Sequence, residues 1–184
     1  MDSNNHTGYY SKEDLRNVLR QYFTDYTMWM RFYIVSRVAG LNDQEVIKNR
    51  IYETPIQVAR LFRIYYDEKT TNVFEDLFRT HIRLSIALVD DVISGNTVSF
   101  AKDMQDFNAN AKALSTQLSL MNSYLNQPQI ENLLKNLLDM TLDEATKRKN
   151  THYADDVYQY DNIEYFILMI ADILWGAMVK KFYS

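Results

Sequence analysis

Cysteine is absent from this chain. That excludes disulfides, thiolate metal sites and a cysteine nucleophile, and it fits a reducing cytoplasm. Glycine and proline are scarce, at four and two in 184 residues. All-β folds and Gly-rich phosphate loops need more turn residues, so the shortage points to long helices with short connections. No long basic run occurs, and the formal net charge is −4. Binding a phosphate backbone takes a basic surface, so nucleic acid is not an expected partner. The short run Lys147-Arg148-Lys149 suits the C-terminal end of a helix dipole.

Standard catalytic signatures are missing too. There is no Gly-rich nucleotide loop, no His-Glu-x-x-His, no Glu-x-x-His of the di-iron bundles and no Gly-x-Ser-x-Gly elbow. These gaps count against the common enzyme classes. Met1 to Thr7 is polar, with no apolar signal region. Asn5-His6-Thr7 fits a glycosylation sequon, but nothing else indicates secretion, and a cytoplasmic location is expected.

What is present is apolar and aromatic. Apolar residues make up 47%, and the length suits one domain, 1–184, with Met1 to Tyr10 as a loose tail. The most apolar stretch runs from Tyr153 to Phe182. Apolar side chains cover nearly every face of Ile163 to Val179, which predicts a central helix surrounded by protein. Its apolar core is shorter than a bilayer requires and contains Glu164 and Asp172, so no membrane span is expected.

Helical spacing and caps order the rest. Ser11 with Asp14 starts a long helix that ends at Gly40. Its stripes are Leu15, Leu19, Tyr22, Tyr26, Trp29 and Tyr33, with Phe23, Met30, Ile34 and Val38 opposite. Asn42 with Glu45 and Thr54-Pro55 start two short helices, the second ending near Tyr66. A second long helix covers about Glu68 to Ser94 and ends at Gly95. A third follows after almost no loop, so it runs back antiparallel to about Met121. Pro128 opens the next helix, and Thr141 with Glu144 reads as a capping box, predicting a bend or restart at Met140-Thr141. The predicted fold is all-α, an up-and-down bundle of four long helices with additional short ones, a ferritin-like bundle included.

Buried polar groups need partners, which singles out a few residues. His81 lies on an apolar stripe, either as a hydrogen-bonded core histidine or as a metal ligand or general base. Glu164 and Asp172 project from a similar face, about 12 Å apart along the axis. Either is a salt-bridge partner for Arg31 or Arg37, or a metal ligand with His81. Asn108 and Asn110 interrupt the third long helix, one reading as solvent-exposed and one as satisfied by a neighbouring helix. The 14 tyrosines suit a half-wet pocket or an interface as well as a core. Tyr9-Tyr10, Tyr65-Tyr66 and Tyr158-Gln159-Tyr160 are candidates to line one. The candidate ligand site or buried polar network is His81, Asp172, Glu164, Arg31, Asn108, Tyr26 and Trp29.

A set of short segments carries a resemblance. They are Trp29-Met30-Arg31 through Ile34-Val35-Ser36, Thr80-His81-Ile82-Arg83-Leu84-Ser85-Ile86-Ala87-Leu88-Val89 and Asn108-Ala109-Asn110-Ala111. Leu138-Asp139-Met140-Thr141-Leu142-Asp143-Glu144-Ala145 and Tyr160-Asp161-Asn162-Ile163 with Met169-Ile170-Ala171-Asp172 follow. Together they resemble a group of short, largely uncharacterised all-helical proteins of spore-forming Gram-positive bacteria, some labelled acetylglutamate kinase. The resemblance implies a helical bundle with no established activity, and no nucleotide loop here supports the kinase label. Such proteins often carry further histidines near the positions of Tyr26 and Leu137, which implies an interior metal site; this chain keeps only His81.

Three function classes follow. The first is a non-enzymatic module that binds a small ligand or a protein, without a cofactor. The second is a metal-binding, ferritin-like bundle holding iron, manganese or zinc at His81, Glu164 and Asp172. The third is a structural homodimer.

Overall fold

Ser11 Oγ accepts the Asp14 N–H at 3.0 Å and opens the first helix, α1 (Lys12–Ala39). The computed structural model describes residues 10–183, so the sequon Asn5-His6-Thr7, Tyr9 and most of the expected tail lie outside the described residues. Tyr10 is not loose: its N–H donates to the Tyr65 hydroxyl and its carbonyl accepts from Tyr183. Gly40, at φ +67°, closes α1 in the left-handed conformation that L side chains rarely adopt. Two short helices follow, α2 (Gln44–Ile51) and α3 (Glu53–Phe62), hinged at Tyr52.

Asp67 caps α4 (Glu68–Ser94) by accepting the Thr70 N–H at 2.9 Å, and Gly95 at φ +77° ends it. Asn96 then caps α5 (Thr97–Met121), which folds straight back along α4. Asn126 with Pro128 opens α6 (Gln127–Lys149), and a turn through Thr151 leads to α7 (Tyr153–Phe182). No strand occurs among the described residues, and the fold is an all-α helical bundle.

The restart expected at Met140-Thr141 does not occur, and α6 is a fifth long helix. Both members of the supposed capping box are engaged elsewhere. The Thr141 hydroxyl donates back to the Leu137 carbonyl at 2.8 Å, and Glu144 reaches across to Arg31. With no competing cap, the backbone ladder simply continues.

The central helix is also not the expected one. α6 packs against α1, α4, α5 and α7, whereas the main neighbours of α7 are α1 and α6. Along α7, Ile163, Ile167, Ile170, Ala171, Leu174, Ala177 and Met178 are buried. They form one inward stripe at helical spacing. Outside that stripe, Tyr158 is 67% exposed and Tyr165 78%. The long apolar runs hid this, because only Asp161, Asp172 and Lys180 mark the outer arc along this stretch.

α1 and α7 are antiparallel neighbours. Arg16 meets Asp172 near one end and Arg31 meets Asp156 near the other. The core between the five long helices is closed by side chains such as Leu15, Leu19, Tyr33, Leu88, Phe107 and Leu114, each fully buried. Each large apolar side chain so buried contributes about 1.5–3 kcal/mol relative to exposure.

Candidate functional site

His81 sits in the interior, 4% exposed, stacked against Phe107 with ring centroids 4.6 Å apart. Asn110 on α5 holds it. The Asn110 amide nitrogen donates to the Leu77 carbonyl at 3.1 Å, which leaves Oδ1 to accept the His81 Nδ1–H at 3.1 Å. Burial pushes the imidazole down to about 4, against the opposite pull of Asn110, so it is neutral at physiological pH. Tyr26 lies in the same region beside Ser85, and burial raises its phenol to about 12. Asn108, by contrast, is exposed; of the two asparagines only Asn110 belongs to the interior.

The interior holds little space. One cavity of about 40 Å³ is purely apolar, walled by residues such as Phe23, Phe74, Leu118 and Leu134. A second, of about 30 Å³, touches Tyr26, His81 and Leu137. The three positions singled out by the resemblance therefore share one cavity. In this chain it presents one phenol, one neutral imidazole and leucine.

Arg31 does not pair with Glu164 or Asp172. Its guanidinium donates to Glu144 at 2.6 Å and to Asp156 at 2.9 Å, tying α1 to α6 and α7. Arg148 adds a second cation on Asp156 at 3.2 Å. These two carboxylates, 2% and 0% exposed, are the most deeply buried acids among the described residues, and sequence reading missed them. Glu144 had a visible signal: it lies seven residues after Leu137, on the same inward stripe as Thr141 and Ala145. Asp156 had none, because an acid in a first helical turn looks like an ordinary dipole residue. Burial lifts the Glu144 carboxyl to about 7, more than Arg31 pulls it down. Arg37 is engaged elsewhere, on Asp90 at 2.8 Å, where Tyr33 also donates.

Asp172 lies on the outer side of the α1–α7 seam. Arg16 and Arg20 each make two hydrogen bonds to it, between 2.8 and 2.9 Å. The hydrogen bond from Arg16 is the main cause holding this carboxyl down at about 2. Glu164 is half-buried near Tyr160. His81, Glu164 and Asp172 are therefore not brought together. Among the described residues, no group of three or more His, Asp or Glu side chains is placed to hold a metal ion.

The aromatic groups are dispersed. Trp29 meets Phe32 edge to face and carries the Arg50 guanidinium 5.5 Å above its ring, facing α2 rather than the His81 cavity. Tyr65 and Tyr66 pack around Phe182 at one end of α7. Tyr158 and Tyr160 are on its other end, roughly 33 Å away at 1.5 Å per residue, so they line no common pocket.

The outer face of α7 is a further exposed surface. An 18-residue window of this helix has a mean hydropathy of 1.5, long and apolar enough by composition to cross a bilayer, yet only 39% of it is buried. This departs from the expectation of too short an apolar core. At 100° per residue, Asp161, Tyr165, Met169, Asp172, Gly176 and Lys180 fall within about 100° of arc on that face. Tyr165, Met169 and Asp172 rim an open cleft of about 400 Å³ together with Arg20, Leu168 and Ile173. Gly176 is regular helix, and a Cβ placed there meets nothing within 4 Å. No internal packing accounts for a glycine at this position, although it costs helix stability.

Comparison with family models, curated proteins and solved structures finds no match. The geometry of the chain is what carries a functional reading.

Proposed function

We propose that this chain is a non-catalytic helical module that binds a protein partner through the outer face of α7. The single observation behind this is a long apolar helix whose outer face exposes large side chains. Tyr165 and Tyr158 are 78% and 67% exposed on it, and Met169 is 37% exposed. Large side chains exposed on one helix face favour an interaction site, and Tyr and Met are residues that interfaces favour.

An interior small ligand is the weaker reading. Pockets for such ligands typically enclose about 300–1,000 Å³. The two core cavities, about 40 and 30 Å³, hold guests of solvent size. A lipid surface suits the α7 face poorly, because Asp161 stands at one end of it and the arginine-clamped Asp172 lies near its middle.

The test is site-specific photo-crosslinking in the native cell. A photoreactive side chain at Tyr165 or Met169 is expected to yield one discrete crosslinked protein species. The same group at Val98, 82% exposed on α5, is expected to yield none. Absence of any species at 165 and 169 would sink the reading.

A further inference from the structure

We infer that the partner of this face is a second copy of the chain, with the two α7 helices packed antiparallel about a two-fold axis between Ile170 and Ala171. This rests on the reading that α7 is a protein-binding face, and it names the occupant.

The stripe itself carries the inference. Asp161, Tyr165, Met169, Asp172, Gly176 and Lys180 are spaced 4, 4, 3, 4 and 4 residues apart, which reads the same in both directions. A two-fold at its centre therefore sets each position against its mirror position in the other copy. Asp161 falls opposite Lys180, and both are exposed. Each dimer thus forms this acid–base contact twice, once at each end of a stripe about 28 Å long. Lys180 now lies 5.9 Å over the exposed ring of Tyr124, a loose contact it can leave. Tyr165, the most exposed of the large hydrophobic side chains of α7, falls opposite Gly176. A glycine with nothing above it is the position where a facing aromatic ring can seat against helix backbone. Met169 falls opposite Asp172, over the cleft that Arg20, Leu168 and Ile173 also line. There the methionine meets a carboxylate already neutralised by two arginines, so no unpaired charge is buried.

A parallel pairing would set Asp161 against Asp161 and Lys180 against Lys180. Charge complementarity therefore selects the antiparallel arrangement. It also favours a second copy over an unrelated helix, because acid, aromatic, glycine and base are present in matching positions on one chain.

Sedimentation equilibrium of the purified full chain across the micromolar range tests this. The expected result is a particle of twice the chain mass. Asp161→Lys, which sets lysine against lysine twice, is expected to weaken the dimer by at least about tenfold. Adding Lys180→Asp to the same chain is expected to restore it. Because the chain has no cysteine, a Tyr165→Cys chain mixed with a Gly176→Cys chain reports register directly by forming a mixed disulfide. A wild-type chain that is monomeric throughout the range overturns the inference. So does a dimer indifferent to both charge substitutions. If the chain is monomeric while position 165 crosslinks to a different protein in the cell, the inference falls and the protein-binding reading stands. If the chain instead sediments with vesicles of zwitterionic lipid and Tyr165→Glu abolishes this, both fall.

Discussion

The guanidinium of Arg31 lies 2.6 Å from the carboxylate of Glu144, at the point where α1, α6 and α7 meet. It is also 2.9 Å from Asp156, which is fully buried. Arg31→Met would leave two buried carboxylates with only Arg148 to share. The expected loss is about 3–5 kcal/mol, the usual result of breaking a buried pair from one side. Adding Glu144→Gln should recover part of it. Urea unfolding measures both, and a loss for Arg31→Met below about 1 kcal/mol would rule out this cluster as the pin of the three helices.

Glu144 and His81 are expected to tilt stability in opposite directions with pH. Folding raises Glu144 to about 7, so its contribution is complete below the ordinary glutamate value and is lost as pH rises through 7. Folding lowers His81 from 6.5 to about 4, so its contribution is complete above 6.5 and is lost as pH falls through 4. Each is worth about 3 kcal/mol across its window. In the wild type the two largely offset each other between pH 4.5 and 6.5. Glu144→Gln should leave stability that climbs over this range, and His81→Gln stability that declines. Unfolding midpoints in urea at a series of pH values separate the two, and parallel profiles for both variants would refute the assignment.

In the monomeric Asp161→Lys chain, Asp172 is expected to behave as a surface ion pair. It is 28% exposed, and its partners Arg16 and Arg20 are 41% and 37% exposed. Solvent screens such a pair strongly. Asp172→Asn should lower the melting temperature slightly at low salt and have almost no effect at high salt. The carboxyl is held down at about 2, so its contribution is full above the ordinary aspartate value and disappears as pH falls through 2. A large, salt-independent loss in that chain would overturn this reading of the carboxylate.

Gly176 gives the sharpest contrast. A methyl group added there meets nothing within the chain, so Gly176→Ala should stabilise the monomer by about 0.8–1 kcal/mol through helix propensity alone. Thermal unfolding of the Asp161→Lys chain, with and without the substitution, measures this. The larger Gly176→Leu is expected to abolish the dimer while the monomer still folds. A Gly176→Leu chain that dimerises like wild type would exclude close approach at this position.

Much of the local structure was legible. Ser11, Gly40, Gly95 and Pro128 stand at the helix boundaries where capping chemistry puts them. His81 was recognisable as interior, because it falls on an apolar stripe, and one of the two neighbouring asparagines does hold it. The false capping box shows the limit of local signals. Thr141 and Glu144 have the right identities and spacing, but a cap forms only if neither side chain has a better partner, and Arg31 on α1 is that partner for Glu144.

The sequence by itself determined that the chain is helical, where most helices start and stop, and that buried charge needed partners. These follow from short-range chemistry: periodicity, caps and the scarcity of turn residues. Tertiary structure alone decided which acids are buried, that α6 rather than α7 is central, and that the outer face of α7 is left uncovered. A helix with only a few charges among long apolar runs carries a weak record of which arc faces inward. That choice depends on neighbours far along the chain, which is why Asp172 lies at the surface while Asp156 is sealed against Arg31.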